Sequence, residues 1–123
     1  MPWDLKSDRP IYIQLIEEIQ LRIFSGEYPP GSKLPSVRDI AQEASVNPNT
    51  MQRALSKLEE DGLVITHRTS GRTITEDVEM IKRAKNKLAV QQIIAFIEKM
   101  QQMGFEKKET LALINKMLEE MEI

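Results

Sequence analysis

Pro48 has no place inside a helix, because its ring removes an amide hydrogen and crowds the preceding turn. Yet Met51, Ala54, Leu55 and Leu58 follow it at spacings of three and four, which is the apolar stripe of an amphipathic helix. A helix therefore has to begin at Pro48, with Asn47 as its N-cap and the proline in the first helical position. Its other face carries Asn49, Gln52, Arg53, Ser56 and Lys57, with no carboxylate among them. Just upstream, "LPSVRDIAQEA" lines Val37, Ile40, Ala41 and Ala44 along one side. Ser36 with Asp39 three residues on gives the outline of a capping box. Two short helices separated only by the "SVN" turn at Ser45–Asn47 make a helix-turn-helix.

The flanks extend this unit. Before it, Ile11, Leu15, Ile19 and Ile23 recur every four residues, widened by Tyr12 and Ile16, which predicts a helix of about four turns. Asp8 is its expected N-cap and Pro10 falls in its first turn; Ser25-Gly26 and the "YPPG" of Tyr28–Gly31 end it. After the unit, Gly62 closes the second helix at a C′ position. The period then drops to two: Leu63, Ile65 and His67 alternate with Val64, Thr66 and Arg68 as in a strand. Ser70-Gly71 signals a turn and "RTIT" a return strand. This predicts a mostly α fold with a small β-hairpin: a winged helix-turn-helix over residues 1–76, with Thr69–Arg72 as the wing tip. From about Asp77 the helical period returns. Leu88, Ile93, Ile97 and Met100 form one stripe; Gly104 breaks it; Leu111, Ile114, Leu118 and Met121 form another. Residues 77–123 are thus expected to be an αα-hairpin.

Composition excludes more than it assigns. The 123 residues contain no cysteine and one histidine, His67, so neither a disulfide frame nor a Cys/His metal set is expected. No Gly-rich loop follows a strand to cradle a nucleotide, and no base-and-orienter pair suits catalysis. No catalytic residue, metal or cofactor is therefore expected. Glu17-Glu18 and Glu59-Glu60 read as solvated charge. No apolar run reaches the length of a membrane span, and the start lacks a secretory pattern, so a cytoplasmic location is expected.

The net charge is −2, but its distribution is uneven. Residues 45–58 carry only Arg53 and Lys57, and residues 65–75 only Arg68 and Arg72. Local positive patches of this kind suffice for a DNA surface. Arginine reads guanine in the major groove, and asparagine or glutamine reads adenine. Asn49, Gln52 and Arg53 are of these types. Asn47 and Thr50 lie at the helix N-terminus, where free N–H groups suit a phosphate. Ser36 and Arg38, at the start of the preceding helix, and Arg68, Gly71 and Arg72, at the wing, complete the expected contact set with double-stranded DNA. Plainer roles compete: Asn47 and Ser36 as caps only, Thr50 bonded within its own helix, Arg53 paired with Glu59 or Glu60. The tail has wider apolar faces than a hairpin buries within itself. A second subunit is the favoured cover, over Ile93, Ile97, Met100, Leu111, Ile114 and Leu118; a ligand pocket between the helices is the lesser alternative. For the whole chain, the rival to DNA binding is a winged-helix protein-interaction module.

The motifs together resemble a known family. "PPGSKLPSVRDIA", "VNPNTMQRAL" and "LEEDGLV" are similar to the GntR family of bacterial transcription regulators. "PIYIQLIEEIQLRIFSGEYPPG" and "GRTITED" before a short helical tail look most like its YtrA subfamily. The resemblance runs from about Pro10 to the end. It implies a winged helix with a dimerisation tail in place of a large effector domain, and a homodimer, usually a repressor, on a palindromic operator. It also implies that transporter operons are frequent targets; an effector remains unknown. By motif, the contact roles fall on Arg38, Asn47, Asn49, Thr50, Gln52, Arg53 and Gly71. The wing departs from the family pattern, with Thr69, Arg72 and Thr73 where the family has glycine, threonine and an aromatic residue, which implies a stiffer and more basic wing.

Overall fold

The computed structural model describes residues 2–122. Five helices and one two-stranded sheet follow in the order α1 (Ile11–Phe24), α2 (Val37–Ala44), α3 (Pro48–Glu60), β1 (Val64–His67), β2 (Gly71–Ile74), α4 (Val78–Gln102) and α5 (Lys107–Glu120). This is the predicted winged helix-turn-helix followed by a helical hairpin. Contacts divide the chain into two compact units, Met1–Arg83 and Ala84–Ile123. The division falls inside α4, so the first turn of that helix belongs with the winged helix: Ile81 is buried there, and Met80 lies against the backbone at Gly62.

The core of the first unit is the set of stripes expected from the periodicity. Leu15, Ile19 and Ile23 of α1, Ile40, Ala41 and Ala44 of α2 and Met51, Ala54, Leu55 and Leu58 of α3 are buried, with α3 packed between α1 and α2, and Leu34, Leu63, Val64 and Ile74 are buried on the wing side. Burying side chains of this size is worth about 1.5–3 kcal/mol each, which fixes the rotation of α3 about its own axis. Whatever is not in that stripe must face outward.

The turn between α2 and α3 is closed by backbone alone. Ser45 takes a left-handed conformation (φ 58°), and the Val46 N–H donates to the Ala41 carbonyl at 2.9 Å, as in a Schellman closure. At the end of α3, Gly62 takes φ 84° and Leu63 N–H donates to Leu58 O at 3.1 Å.

The start of α1 differs from expectation. Pro10 is itself the N-cap, with no side-chain cap; Asp8 does not serve. Buried Gln14 instead bonds the backbone of the segment that leads into the helix. Its amide donates to the carbonyls of Lys6 and Arg9 and its carbonyl accepts from Lys6 N–H. The N-terminal arm is thereby tied to the domain, and Trp3 packs on it, its ring 4.1 Å from the Arg22 guanidinium.

The wing has a third, unpredicted member. Lys33 forms a bridge to Thr73, Leu34 N–H donates to Arg72 O, and Ile74 N–H donates to Ser32 O, each at 2.9 Å. β2 therefore lies between β1, paired from Val64↔Ile74 to His67↔Gly71, and the stretch at residues 32–34.

In the second unit, α4 and α5 form the hairpin, turning at Gly104. Glu106 and Glu109 make a reciprocal capping box at the start of α5. Met100 and Thr110 are buried; the remaining large apolar side chains are mostly outside. Among the described residues, no helix is long and apolar enough to cross a membrane.

Candidate nucleic-acid interface

α3 presents the surface that its buried stripe leaves over. Asn49, Gln52, Arg53, Ser56 and Lys57 are all exposed. At its N-terminus Asn47 Oδ1 accepts from Asn49 N–H at 2.7 Å, so the capping role is real. Because Pro48 has no N–H, that bond uses one of the few donors at this helix end. Thr50 is half-buried beside it. Gln52 Nε2 reaches Ser56 Oγ at 3.4 Å, a loose contact one turn on that leaves its carbonyl oxygen to solvent.

Ser36 also caps: its Oγ accepts from Asp39 N–H at 3.1 Å. Arg38, two residues into this helix, is exposed. Among the described residues it has no ion-pair partner, which suits a contact role.

Two arginines are placed differently from expectation. Arg53 pairs with neither Glu59 nor Glu60. Its guanidinium lies over the Tyr12 ring of α1, 3.6 Å from the centroid. Arg72 is not at the wing tip but is the second residue of β2, and its Nε donates to Glu59 Oε1 at 2.6 Å. The loop between the strands is Arg68-Thr69-Ser70, so the tip carries the cation Arg68, which has no ion-pair partner among the described residues, and the wing is less basic than its composition implies. Lys33 restores charge beside it. This exposed side chain runs within 3.9 Å of where a Gly71 Cβ would stand. Gly71 takes φ 86°, a conformation a bulkier residue adopts only with strain. His67 Nε2 and Thr73 Oγ1 lie 2.8 Å apart across the hairpin, so the histidine is a strand-pairing residue.

Glu59 and Glu17-Glu18, read from sequence as solvated, are engaged. Glu17 pairs with Arg9 and Glu18 with Arg22. Glu59 accepts from Thr66 Oγ1 and from Arg72, so one carboxylate at the end of α3 holds both strands of the wing. Those hydrogen bonds, Thr66 first and Arg72 next, with the Arg72 charge, hold the Glu59 carboxyl below its usual value of 4.5. A depressed carboxyl contributes stability that is present above its unfolded pKa and lost as pH falls through the folded one. Glu59→Gln is accordingly expected to melt below the native protein at neutral pH, with the gap closing as pH is lowered beneath about 4.5. A gap that is the same at pH 7 and pH 3 in thermal scans would place the wing's anchor elsewhere.

Among the described residues, no group of three or more His, Cys, Asp or Glu is placed to hold a metal.

Residues 11–74 match the family of "Bacterial regulatory proteins, gntR family", the span from the start of α1 to the end of the wing. The HTH-type transcriptional repressor YtrA of Bacillus subtilis is 40% identical over 62% of this chain and 58% of its own length. Among solved structures, a GntR family transcriptional regulator from Listeria monocytogenes superposes with a TM-score of 0.86 at 38% identity, covering 91% of this chain and 98% of that one. The DNA-binding domain of AraR, solved in complex with the operator ORE1, superposes with a TM-score of 0.53 at 27% identity, over 61% of this chain and 94% of that one. The chain belongs to the gntR family of bacterial regulatory proteins, DNA-binding helix-turn-helix transcription regulators among which YtrA is a relative.

Proposed function

We propose that this protein is a homodimeric repressor that binds a palindromic operator in the cytoplasm. α3 enters the major groove, Asn49, Gln52 and Arg53 read base edges, and Ser36, Arg38, Asn47, Thr50, Arg68 and Gly71 approach the backbone. The carrying observation is the exposed face of α3 from Asn49 to Lys57, which holds amides, a hydroxyl and two cations without a carboxylate, Glu60 following only in the last turn, behind a stripe whose burial fixes its direction. A phosphate-lined groove disfavours carboxylates at such a face and favours these donors.

Two-fold operators call for two-fold proteins, and the second unit supplies a surface for the partner. Ile93, Leu111 and Leu118 are each more than half exposed in the single chain, and Ile97 and Ile114 partly so. Between α4 and α5 runs an apolar groove of about 420 Å³, lined by Ile94, Ile97, Leu111 and Ile114. Met100 is already buried within the single chain and so is not part of the exposed surface. An exposed apolar patch rimmed by polar residues marks an interaction site; a second copy of the hairpin has the same apolar character.

Selection of bound DNA from a random pool tests the function. One enriched sequence with two-fold symmetry is the expected result. If nothing is enriched, the chain is a winged-helix protein-interaction module. On the selected site, Arg53→Ala is expected to weaken specific binding by roughly tenfold and non-specific binding little, since a bidentate base contact discriminates by about 1–3 kcal/mol. Arg68→Ala is expected to weaken both alike and to shrink the slope of log K against log salt by about one unit. A reversed pattern would exchange their assignments.

A further inference from the structure

We infer that Tyr12 of α1 is a positioning residue for DNA reading: its ring face holds the Arg53 guanidinium in a fixed plane so that its N–H edge is presented to the groove. This rests on the reading of α3 as the recognition helix.

Arginine is long and loses considerable rotamer freedom when it is fixed on a base. Arg53 surrenders part of that freedom before DNA arrives. Its guanidinium carbon sits 3.6 Å from the centroid of the Tyr12 ring, within the range of a cation–π stack. Stacking engages the flat face of the guanidinium. The five N–H donors lie in its plane and point away from the stack, and among the described residues no protein acceptor takes them. A salt bridge would have done the opposite, tying up those donors.

The neighbouring acids are arranged so that the stack survives. α1 has two carboxylates, Glu17 and Glu18, and both are taken, by Arg9 and Arg22. At the end of α3, Glu59 is taken by Arg72 and Thr66. Glu60 stands seven residues on, about 10 Å along the helix at 1.5 Å per residue. Tyr12 is half-buried at the second position of α1 while Arg53 is exposed, so the ring is a platform seated in the domain, with the cation on its outer side. α1, otherwise a core helix, thereby contributes to the reading surface without touching a base.

The test uses the full-length protein and the sequence selected from the random pool. Tyr12→Phe keeps the face and is expected to stay within about twofold of native affinity. Tyr12→Leu removes it and is expected to lose about five- to tenfold on the selected site with little change on random DNA. In an Arg53→Ala background, Tyr12→Leu is expected to cost nothing further on that site. Thermal melts in the same buffer separate a folding defect, which would lower binding to both DNAs and persist in the Arg53→Ala background. Three results would overturn the inference: no loss in Tyr12→Leu, an equal loss in Tyr12→Phe, which assigns the contact to the hydroxyl, or additive losses in the double variant. If the native protein enriches no sequence at all, it is the DNA-reading proposal that fails.

Discussion

Leu111→Glu combined with Leu118→Glu is expected to turn the proposed dimer into a monomer and to lower affinity for the proposed two-fold operator by about 10²–10⁴. Both side chains are about 60% exposed in the single chain, 59% and 63%, so the carboxylates meet water and the hairpin keeps its fold. They stand two turns apart on α5, on one side with Ile114 between them. If a second copy covers that side, each glutamate would be buried unpaired in the pair, at several kcal/mol. The loss of affinity follows from the lost link: a half-site held by one protomer gains nothing from its neighbour. Sedimentation of the double variant should show one species of monomer mass with an unchanged melting curve. A persistent dimer would move the interface away from α5. Truncation after Arg83 is the complementary variant; a cut after Glu76 would also remove Ile81, which is buried in the first unit, and confuse lost dimerisation with lost folding.

Arg22→Ala is expected to destabilise the first unit by about 3 kcal/mol, and so to lower its melting temperature by more than about 10 °C. Arg22 is 3% exposed. Its Nε faces Glu18 at 3.3 Å, and its Nη1 faces Glu27 at 2.9 Å and Glu43 at 3.7 Å. The Trp3 ring covers one face of the guanidinium, and Trp3 Nε1 donates to Glu43 at 3.1 Å. Removing the cation leaves the carboxylates facing one another around a void, Glu18 in a largely buried position, with side-chain exposure of 16%. Glu27 and Glu43 are more open and can turn to solvent, which keeps the cost below that of a wholly buried network. Arg22→Lys keeps the charge but neither the planar fork nor the stack and should fall between. A loss of only a few tenths of a kcal/mol in urea titrations would show that the cluster is surface decoration.

What the sequence made legible and what it did not divide along physical lines. The helices of the winged fold declared themselves because periodic burial and caps are local: Leu15, Ile19 and Ile23, or Met51, Leu55 and Leu58 behind Asn47-Pro48, need no knowledge of a partner. The face of α3 was legible for the same reason, since a buried stripe defines its opposite. Arg22 was not, because an arginine with Glu18 four residues back reads as a solvated helix pair until Trp3 and Glu43, distant in sequence, close over it. Arg72 read as a wing cation because its partner Glu59 is thirteen residues away across a turn. Arg53 on Tyr12 joins two helices forty-one positions apart. The strand-like stretch at residues 32–34 left no alternating pattern to detect. It is too short, and Pro29-Pro30-Gly31 before it reads as a break.

That stretch also bears on how the domain assembles. A two-stranded hairpin alone is marginal in water, and here β2 gains its second neighbour from residues about forty positions earlier. Closing such a contact costs loop entropy before it returns stability. The wing's full set of backbone pairings therefore needs the chain on both sides of the helix-turn-helix to be in place, so order in the wing is tied to order in the helices between Gly31 and Leu63.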